Sequence, residues 1–246
     1  MRLCSVALLI IIVISCVSAQ DMTVVKSVLE NIVAPGDSLL NGNRLIRTDS
    51  VDDFDSRYTE LTEGDFRLVA DELGVEIAVI KAVVLIEAGN QMKGFWAPGV
   101  PVINFDKTMY SRFRSKTPSA AGAKGEKVPE GLTGYALREW TQLINARKVN
   151  AQGANMGTFW GMFQIGGFNY KLCGCETVDE FVRRMADSEL SQLELFAAFI
   201  IKGGMVDDLR KKNWAAFARK YNGASYAKRG YHTKMAAAYD KFKAAK

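Results

Sequence analysis

Apolar residues recur on a helical period along most of the chain after residue 60. Between residues 75 and 88 they form one stripe of a 3.6-residue helix, and a single acid, Glu87, falls on that stripe. The apolar members of the stripe are Ile77, Ile80 and Val84. Gly89 and Asn90 follow directly and are residue types that commonly end helices. The pattern therefore predicts a helix whose last turn carries a carboxyl group on its apolar face.

The remaining pattern predicts a mainly α body with one turn-rich excursion. Thr62 and Asp65 fit a capping box, and the helix that they open is expected to end at Gly74. Glycines and prolines mark residues 91–105 as turns, with a short extended piece at 101–105. Further helices are predicted at 106–113, 135–149, 159–165, 178–187, 189–201, 214–221 and 231–245.

The first 19 residues predict an export leader. Arg2 gives a positive start, residues 3–20 carry no charge, and the small residues before the junction favour cleavage by a signal peptidase after Ala19. Two alternatives stay open. A lipoprotein-type site would leave Cys16 as a lipid-bearing N-terminus, or the segment stays uncleaved as a short anchor. In each case the working part of the chain is expected outside the cytoplasm, in the periplasm or the medium.

Composition and periodicity divide the rest of the chain into an arm and one domain. Residues 20–60 are polar and weakly periodic, so we expect a linker there. Residues 61–246 are expected to form a single domain, since 48% hydrophobic and 24% charged residues are ordinary values for a soluble globular protein.

Positive charge is concentrated at the C-terminal end. Residues 202–246 contain twelve Lys or Arg against three Asp, a net charge of +9, whereas residues 1–201 carry −4. Such a basic end favours attraction to an anionic cell wall or membrane surface. The alternative is that these lysines are simply the solvated faces of terminal helices. An exported chain rarely meets nucleic acid, so nucleic acid is not expected as a partner.

Cysteine and histidine content argues against a disulfide framework and against a metal site. Outside the leader, which contains Cys4 and Cys16, the only cysteines are Cys173 and Cys175, and a bridge between them would close a very small, strained ring. We therefore expect two reduced thiols. His232 is the only histidine and has no Cys or acid cluster beside it, so no metal or other cofactor is expected.

Glu87 and Asp106 are the candidate catalytic acids. A carboxyl group on an apolar helix face loses hydration, so its pKa should rise towards the range in which it can donate a proton near neutral pH. The alternative is that Glu87 turns out to solvent at the end of its helix. Asp106 follows an apolar, strand-like piece and is, on its own, most simply a helix N-cap.

Two segments combine aromatic, glycine and amide residues in a way that suits sugars. Gln164 is the one polar side chain of an apolar piece bracketed by glycines, where a ligand can approach the backbone closely. Tyr221 and Tyr226 flank the turn at Asn222 and offer flat faces with hydroxyl tips. The alternatives are a buried helix contact at Gln164 and an ordinary turn between helices at Asn222.

Taken in chain order, these segments resemble the N-acetylmuramidase family of phage and prophage endolysins, within the lysozyme-like superfamily. The match runs from about residue 61 to the C-terminus, and several blocks in the right order are more specific than any single motif. The blocks are LTEGDF (61–66), IKAV (80–83) ahead of Glu87, WGMFQI (160–165), GFNYKLCG (167–174), WAAFAR (214–219), YNG (221–223) and YAK (226–228).

The resemblance implies a monomeric, lysozyme-like helical domain that cleaves the β-1,4 bond between N-acetylmuramic acid and N-acetylglucosamine in peptidoglycan. Glu87 aligns with the family's catalytic glutamate. Asp106 falls where the family usually has a second glutamate, and Ala88 stands where it usually has Ser. The residues expected to bind the glycan are Trp160, Gln164, Asn169, Tyr221, Asn222 and Tyr226.

In the implied mechanism, a neutral Glu87 protonates the leaving oxygen, while an ionised Asp106 activates water or stabilises the transition state. Gln164 and Asn222 would bind the N-acetyl groups. Two rival functions remain: a lytic transglycosylase, which needs only one Glu, and a non-catalytic cationic protein that binds the wall. The separation of the two carboxyl groups decides between inversion and retention, and a sequence does not set that distance.

Overall fold

The computed structural model describes residues 60–89, 93–118, 122 and 125–245, and the backbone of two short strands before them. These strands, β1 (Ser38–Leu40) and β2 (Leu45–Arg47), pair antiparallel. They belong to a compact unit of their own, distinct from the helical body. The arm predicted at 20–60 thus contains a hairpin, and the leader predicted at 1–19 lies outside the described residues.

The helical body begins with two helices in close succession, α1 (Glu63–Leu73) and α2 (Ile77–Ala88). The capping box predicted for α1 is confirmed. Thr62 Oγ1 accepts a hydrogen bond from the Asp65 amide, and the Asp65 carboxylate accepts one from the Thr62 amide. Gly74 ends α1 in the left-handed conformation, with a φ of 62°, so the chain turns at once into α2.

Five short strands follow in two groups. A hairpin pairs β3 (Phe95–Ala97) with β4 (Val100–Pro101), and a three-stranded antiparallel sheet joins β5 (Ile103–Phe105), β6 (Thr158–Trp160) and β7 (Ile165–Gly166). In the larger sheet Ile103 lies opposite Trp160, and Trp160 lies opposite Ile165. The extended piece predicted at 101–105 is therefore confirmed.

The helix predicted at 159–165 is wrong, because this segment is the β6–β7 hairpin. Thr158 and Trp160 are buried while Phe159 between them is half-buried, which is the two-residue period of a strand. Gly161 and Gln164 then take positive φ values of 69° and 48°, and the chain reverses between the two strands. A short apolar run fits either structure, and here the turn residues decide for the strand.

Eight further helices complete the described body. Two of them, α5 and α8, were not predicted, since six and five residues are too few to show a periodic pattern. In the described part of the chain, no helix has the length and apolar character needed to cross a bilayer. The helices are α3 (Lys107–Arg114), α4 (Gly134–Arg147), α5 (Ala151–Met156), α6 (Val178–Met185), α7 (Glu189–Lys202), α8 (Val206–Arg210), α9 (Trp214–Asn222) and α10 (Tyr231–Ala244).

The core lies around α2 and α7. The terminal helix α10 packs along α2, and α7 packs against α1 and α6. Ile80 and Val84, from the predicted stripe of α2, are fully buried, while Glu87 is half-buried. On α7, the Phe196 ring stacks on Phe163 with 4.3 Å between ring centroids. Packing therefore fixes α2 along its length and leaves its last turn at the edge of the core.

Candidate active site

Glu87 lies in the last turn of α2 with its carboxyl group largely removed from water. Burial raises the pKa of Glu87 to about 7, because the charged form loses hydration, and a hydrogen bond from Asn222 opposes this rise in pKa. Asn222 Nδ2 donates to Glu87 Oε1 at 2.9 Å. The pKa shift expected from the sequence is therefore present, and its cause is the apolar surroundings.

A cavity of about 530 Å³ opens next to this hydrogen-bonded pair, and Asn222 is part of its wall. Four of the six predicted sugar-binding residues line the cavity, and they come from separate parts of the chain. These four are Gln164, Asn169, Tyr221 and Asn222. The fold thus brings three amide side chains to one cavity, and the third of them holds the Glu87 carboxyl.

Gln164 stands in the turn between β6 and β7 in an unusual backbone conformation. Its φ of 48° is uncommon for a residue other than glycine, and such positions concentrate at functional sites. The side chain is fixed by a hydrogen bond from Nε2 to the Gly161 carbonyl at 2.8 Å. Since Gln164 lines the cavity, this turn presents an amide whose position is set by the backbone.

The end of α9 supplies Tyr221 and Asn222, which play different parts. The Tyr221 hydroxyl donates to the Phe163 carbonyl at 2.7 Å, and its ring stacks on Phe217 with 5.5 Å between centroids. Burial and the nearby Glu87 carboxyl raise the pKa of Tyr221 well above its ordinary value. Tyr221 is therefore a neutral wall residue whose hydroxyl is occupied. By contrast, Asn222 Oδ1 is buried without a hydrogen-bond partner within the described residues.

Two predicted sugar-binding residues do not line the cavity. Trp160 is fully buried, and its indole N–H donates to the Asn155 carbonyl at 3.0 Å, so its prediction as a cleft residue is wrong. It faces inward because the two-residue period of β6 directs it to the core. Tyr226 is half-buried and packs its ring edge-on against His232, at 5.4 Å between centroids, outside the cavity lining.

Asp106 is the N-cap of α3. Its Oδ1 accepts hydrogen bonds from the Thr108 amide at 2.8 Å and the Met109 amide at 2.9 Å. Asp106 does not line the cavity, although Met109 one turn further on does. This geometry matches the helix-cap alternative that the sequence left open.

Several cavity residues were not singled out from the sequence, and most of them are apolar. Phe168 is the most informative: its ring stacks on Phe113 at 5.3 Å, and a Cβ on Gly166 would lie only 2.3 Å from it. The glycine is thus needed for the ring to lie flat against β7. The lining residues that were not predicted as binding residues are Met109, Phe159, Ile165, Gly166, Phe168, Leu172, Phe199, Gly203, Met205, Lys220 and Gly223.

The two cysteines of the body are not part of the cavity lining. Cys173 and Cys175 are free and buried, as expected from their spacing. Burial raises the pKa of both thiols, so they remain protonated at neutral pH. Among the residues with described positions, no cluster of His, Cys, Asp and Glu has the composition of a metal site.

Comparison with known proteins identifies the family of the chain. The family model described as N-acetylmuramidase matches residues 76–243, a stretch that contains Glu87, Gln164 and Asn222. The crystal structure of an endolysin from Burkholderia AP3 phage is similar, with a TM-score of 0.64 and 33% sequence identity, and the match covers 78% of this chain and 73% of that chain. No curated protein matches. The chain therefore belongs to the N-acetylmuramidase family, and it is a peptidoglycan hydrolase of the lysozyme type.

Proposed function

We propose that this hydrolase cleaves the β-1,4 bond between N-acetylmuramic acid and N-acetylglucosamine, with Glu87 as the general acid. One observation carries the proposal: a buried carboxyl group with a pKa of about 7 is hydrogen-bonded to the wall of a cavity large enough for sugar rings. A general acid works best when its pKa is close to the working pH, because it is then protonated and still able to release its proton.

The hydrogen bond from Asn222 assigns separate tasks to the two oxygens of Glu87. Because Nδ2 of Asn222 donates to Oε1, the catalytic proton belongs on Oε2. Asn222 also lowers the pKa of Glu87 relative to burial alone, which keeps the acid strong enough to give the proton up. The proton then passes from Oε2 to the glycosidic oxygen as the C1–O bond breaks; water adds to the anomeric carbon, and the proton that this water loses returns to Glu87.

The amides and apolar surfaces of the cavity fit the chemistry of N-acetyl sugars. Asn222 Oδ1, which is buried and lacks a partner, is an acceptor for the N–H of an acetamido group. Gln164 and Asn169 supply further polar contacts, and Phe159 and Phe168 offer apolar surface for sugar rings. Because a substrate amide would give this buried acceptor a hydrogen-bond partner, binding favours a substrate that carries an amide.

Asp106 enters the proposal as a structural cap. Its carboxylate stabilises the N-terminus of α3, and the described lining of the cavity contains no Asp or Glu. A single acid at the site is also what a lytic transglycosylase needs, so that reaction is the second candidate. Mass spectrometry of digested peptidoglycan separates the two: a reducing sugar end supports hydrolysis, and an anhydro end supports the transglycosylase.

The basic C-terminal segment, residues 202–246, supports a further part of the proposal, which is attraction to an anionic wall or outer-membrane surface. Lys228, Lys234 and Lys241 are exposed, and none of them has an ion pair among the described contacts. Export through residues 1–19 would deliver the enzyme to its substrate. The N-terminal mass of the mature protein distinguishes cleavage after Ala19 from a lipid-bearing Cys16 or an intact leader.

The direct test of the function is Glu87→Gln assayed on purified peptidoglycan. Gln keeps the shape of the side chain and the hydrogen bond from Asn222 but has no proton to give. If Glu87→Gln no longer releases fragments from peptidoglycan, the proposal is supported. Retained lysis would instead favour the rival in which the protein acts through its cationic helices without catalysis.

A further inference from the structure

Two buried polar residues on α7, Gln192 and Glu189, connect the segments that carry the site. Gln192 is fully buried and Glu189 is 3% exposed. Neither residue lines the cavity. Burying an amide and a carboxyl group in a core is costly unless their hydrogen bonds are satisfied. Their bonding partners therefore indicate why a helix that is otherwise apolar carries them.

The Gln192 amide bonds to three separate parts of the chain. Its Oε1 accepts from the Met162 amide at 2.8 Å, within the turn that carries Gln164. Its Nε2 donates to the Gly94 carbonyl at 3.2 Å and to the Met185 carbonyl at 2.9 Å. One side chain thus joins the Gln164 turn, the segment after Glu87 and the end of α6.

Glu189 holds the same segment from its other side. Its Oε1 accepts from the Gly94 amide at 2.7 Å, and its Oε2 accepts from the Leu61 amide at 3.3 Å. Together with Gln192, it therefore binds both the N–H and the carbonyl of Gly94. Gly94 lies seven residues after Glu87, so this point of the chain after α2 is fixed to α7.

Two glycines allow the Gln192 amide to lie directly against the backbone. A Cβ on Gly94 would lie 2.3 Å from Gln192 Oε1, and a Cβ on Gly161 would lie 2.7 Å from the same atom. Either side chain would displace the amide from its partners. The close approach on both sides indicates that the position of this amide, and not only its burial, is built into the fold.

From these contacts we infer that Gln192 is a positioning residue, which fixes the Gln164 turn relative to the segment that follows Glu87, with Glu189 in support. The inference rests on the proposed function, because only that function requires Gln164 to bind the same glycan that Glu87 protonates. A misplacement of about 1 Å in a catalytic site can lower the rate about 100-fold. Loss of the amide should therefore affect turnover more than folding.

The test is Gln192→Met, which keeps the length of the side chain and removes its three hydrogen bonds. On soluble peptidoglycan fragments, we expect kcat to fall by about tenfold or more and KM to change by less than about threefold, since the variant binds substrate but misplaces Gln164. The control is Asn150→Ala. Asn150 is also a buried amide, it bonds to Gly153 and Thr117, and it does not line the cavity.

Both variants are assayed well below their Tm values. The inference predicts that Asn150→Ala lowers Tm but keeps kcat within about twofold, while Gln192→Met lowers kcat as well. If Gln192→Met keeps the kcat of the wild type while Glu87→Gln is inactive, the positioning role is wrong and the proposed function survives. If Glu87→Gln is itself active, the proposed function fails first.

Glu189→Gln provides a second, milder variant in case Gln192→Met does not fold. It keeps the shape of the side chain and one acceptor, but turns an NH₂ group towards a backbone N–H. We expect kcat to fall about threefold to tenfold with little change in KM, because the Gly94 segment is held less firmly. An unchanged kcat in a folded Glu189→Gln variant contradicts the inference.

Discussion

Glu87 and Asp106 are both half-buried carboxylic acids at the end of a helix, but the two helix ends are opposite. Asp106 sits at the N-terminus of α3, where two backbone N–H groups and the positive end of the helix dipole stabilise its charge. Glu87 sits at the C-terminus of α2, where the dipole disfavours a negative charge and apolar neighbours remove water. We therefore propose that the same chemical group caps a helix at one place and donates a proton at the other.

The largest difference should appear in activity. Glu87→Gln is expected to lower kcat on purified peptidoglycan by about 1,000-fold, because general acid catalysis contributes roughly 10² to 10⁴. Asp106→Asn is the matched control, since it also replaces a carboxyl group by an amide. Activity that survives in Glu87→Gln and disappears in Asp106→Asn would reverse the roles assigned to the two acids.

The next difference concerns stability as a function of pH. The pKa of Glu87 is about 7 in the folded protein, above the ordinary value of 4.5, so the folded state holds this proton more tightly than the unfolded state. This contribution to the free energy of unfolding is fully present below pH 4.5 and is lost as the pH rises through 7, a change of about 3 kcal/mol.

Chemical denaturation between pH 4 and pH 8 measures this effect. Glu189 and Glu72 also have pKa values raised by burial, so the wild type alone does not isolate Glu87. Glu87→Gln lacks the titrating group, and its free energy of unfolding should fall less over this range. Parallel curves for the two proteins would show that Glu87 titrates in the folded state as it does in the unfolded chain.

Asn222 lowers the pKa of Glu87, the acid at the C-terminus of α2. Asn222→Ala removes the donor that lowers the pKa of Glu87, so the high-pH limit of activity should move to higher pH. We expect kcat/KM to fall about tenfold, since a buried hydrogen bond to a reacting group is worth roughly 1–2 kcal/mol. The pH profile of kcat/KM measures both effects. If the variant is less active but its high-pH limit does not move, Asn222 contributes to substrate binding and does not control the pKa of Glu87.

Asp106, the N-cap of α3, is expected to have a smaller effect on stability. Asp106→Ala should lower the free energy of unfolding by about 1 kcal/mol, whereas Asp106→Asn should leave it nearly unchanged, because Asn caps a helix as well as Asp. Asp106→Asn should also keep most of the activity. If Asp106→Asn folds normally but is inactive, the negative charge itself is required and Asp106 is the second catalytic carboxylate.

Salt should affect the surface charges and spare the buried acid. Lys228, Lys234 and Lys241 are exposed to solvent, and the Debye length falls from about 30 Å at 0.01 M to about 10 Å at 0.1 M salt. We therefore expect activity on whole cell wall to fall a few-fold with rising ionic strength, through KM, while the pH profile keeps its shape. Activity that is flat in salt would remove the role proposed for the basic surface.

Local patterns were sufficient to predict the helical body and the acid. The stripe on α2 and the capping box at Thr62 depend on residues close in sequence, so spacing alone revealed them. The β6–β7 hairpin was missed because a short apolar run fits a helix as well as a strand, and only the backbone at Gly161 and Gln164 decides between them.

The cavity was harder to predict because its walls come from separated elements. Met109 on α3, Phe199 on α7 and Asn222 on α9 meet only after the chain has folded. Sequence also does not reveal which aromatic faces inward: Trp160 entered the core, while Phe159 beside it lines the cavity. The residue pattern of two segments singled out Gln164 and Asn222, resemblance to a family implied their role, and the fold revealed the hydrogen bond between Asn222 and Glu87.

The most direct test is a titration of the Glu87 carboxyl group itself. ¹³C NMR of protein labelled at the glutamate carboxyl carbons, with Glu87→Gln to assign the signal, gives the pKa of this one group. We expect a midpoint at about 7, as burial against the apolar end of α2 requires. A midpoint at the ordinary value of 4.5 would mean that Glu87 is ionised at neutral pH, and the protein would then lack the proton donor on which its proposed chemistry depends.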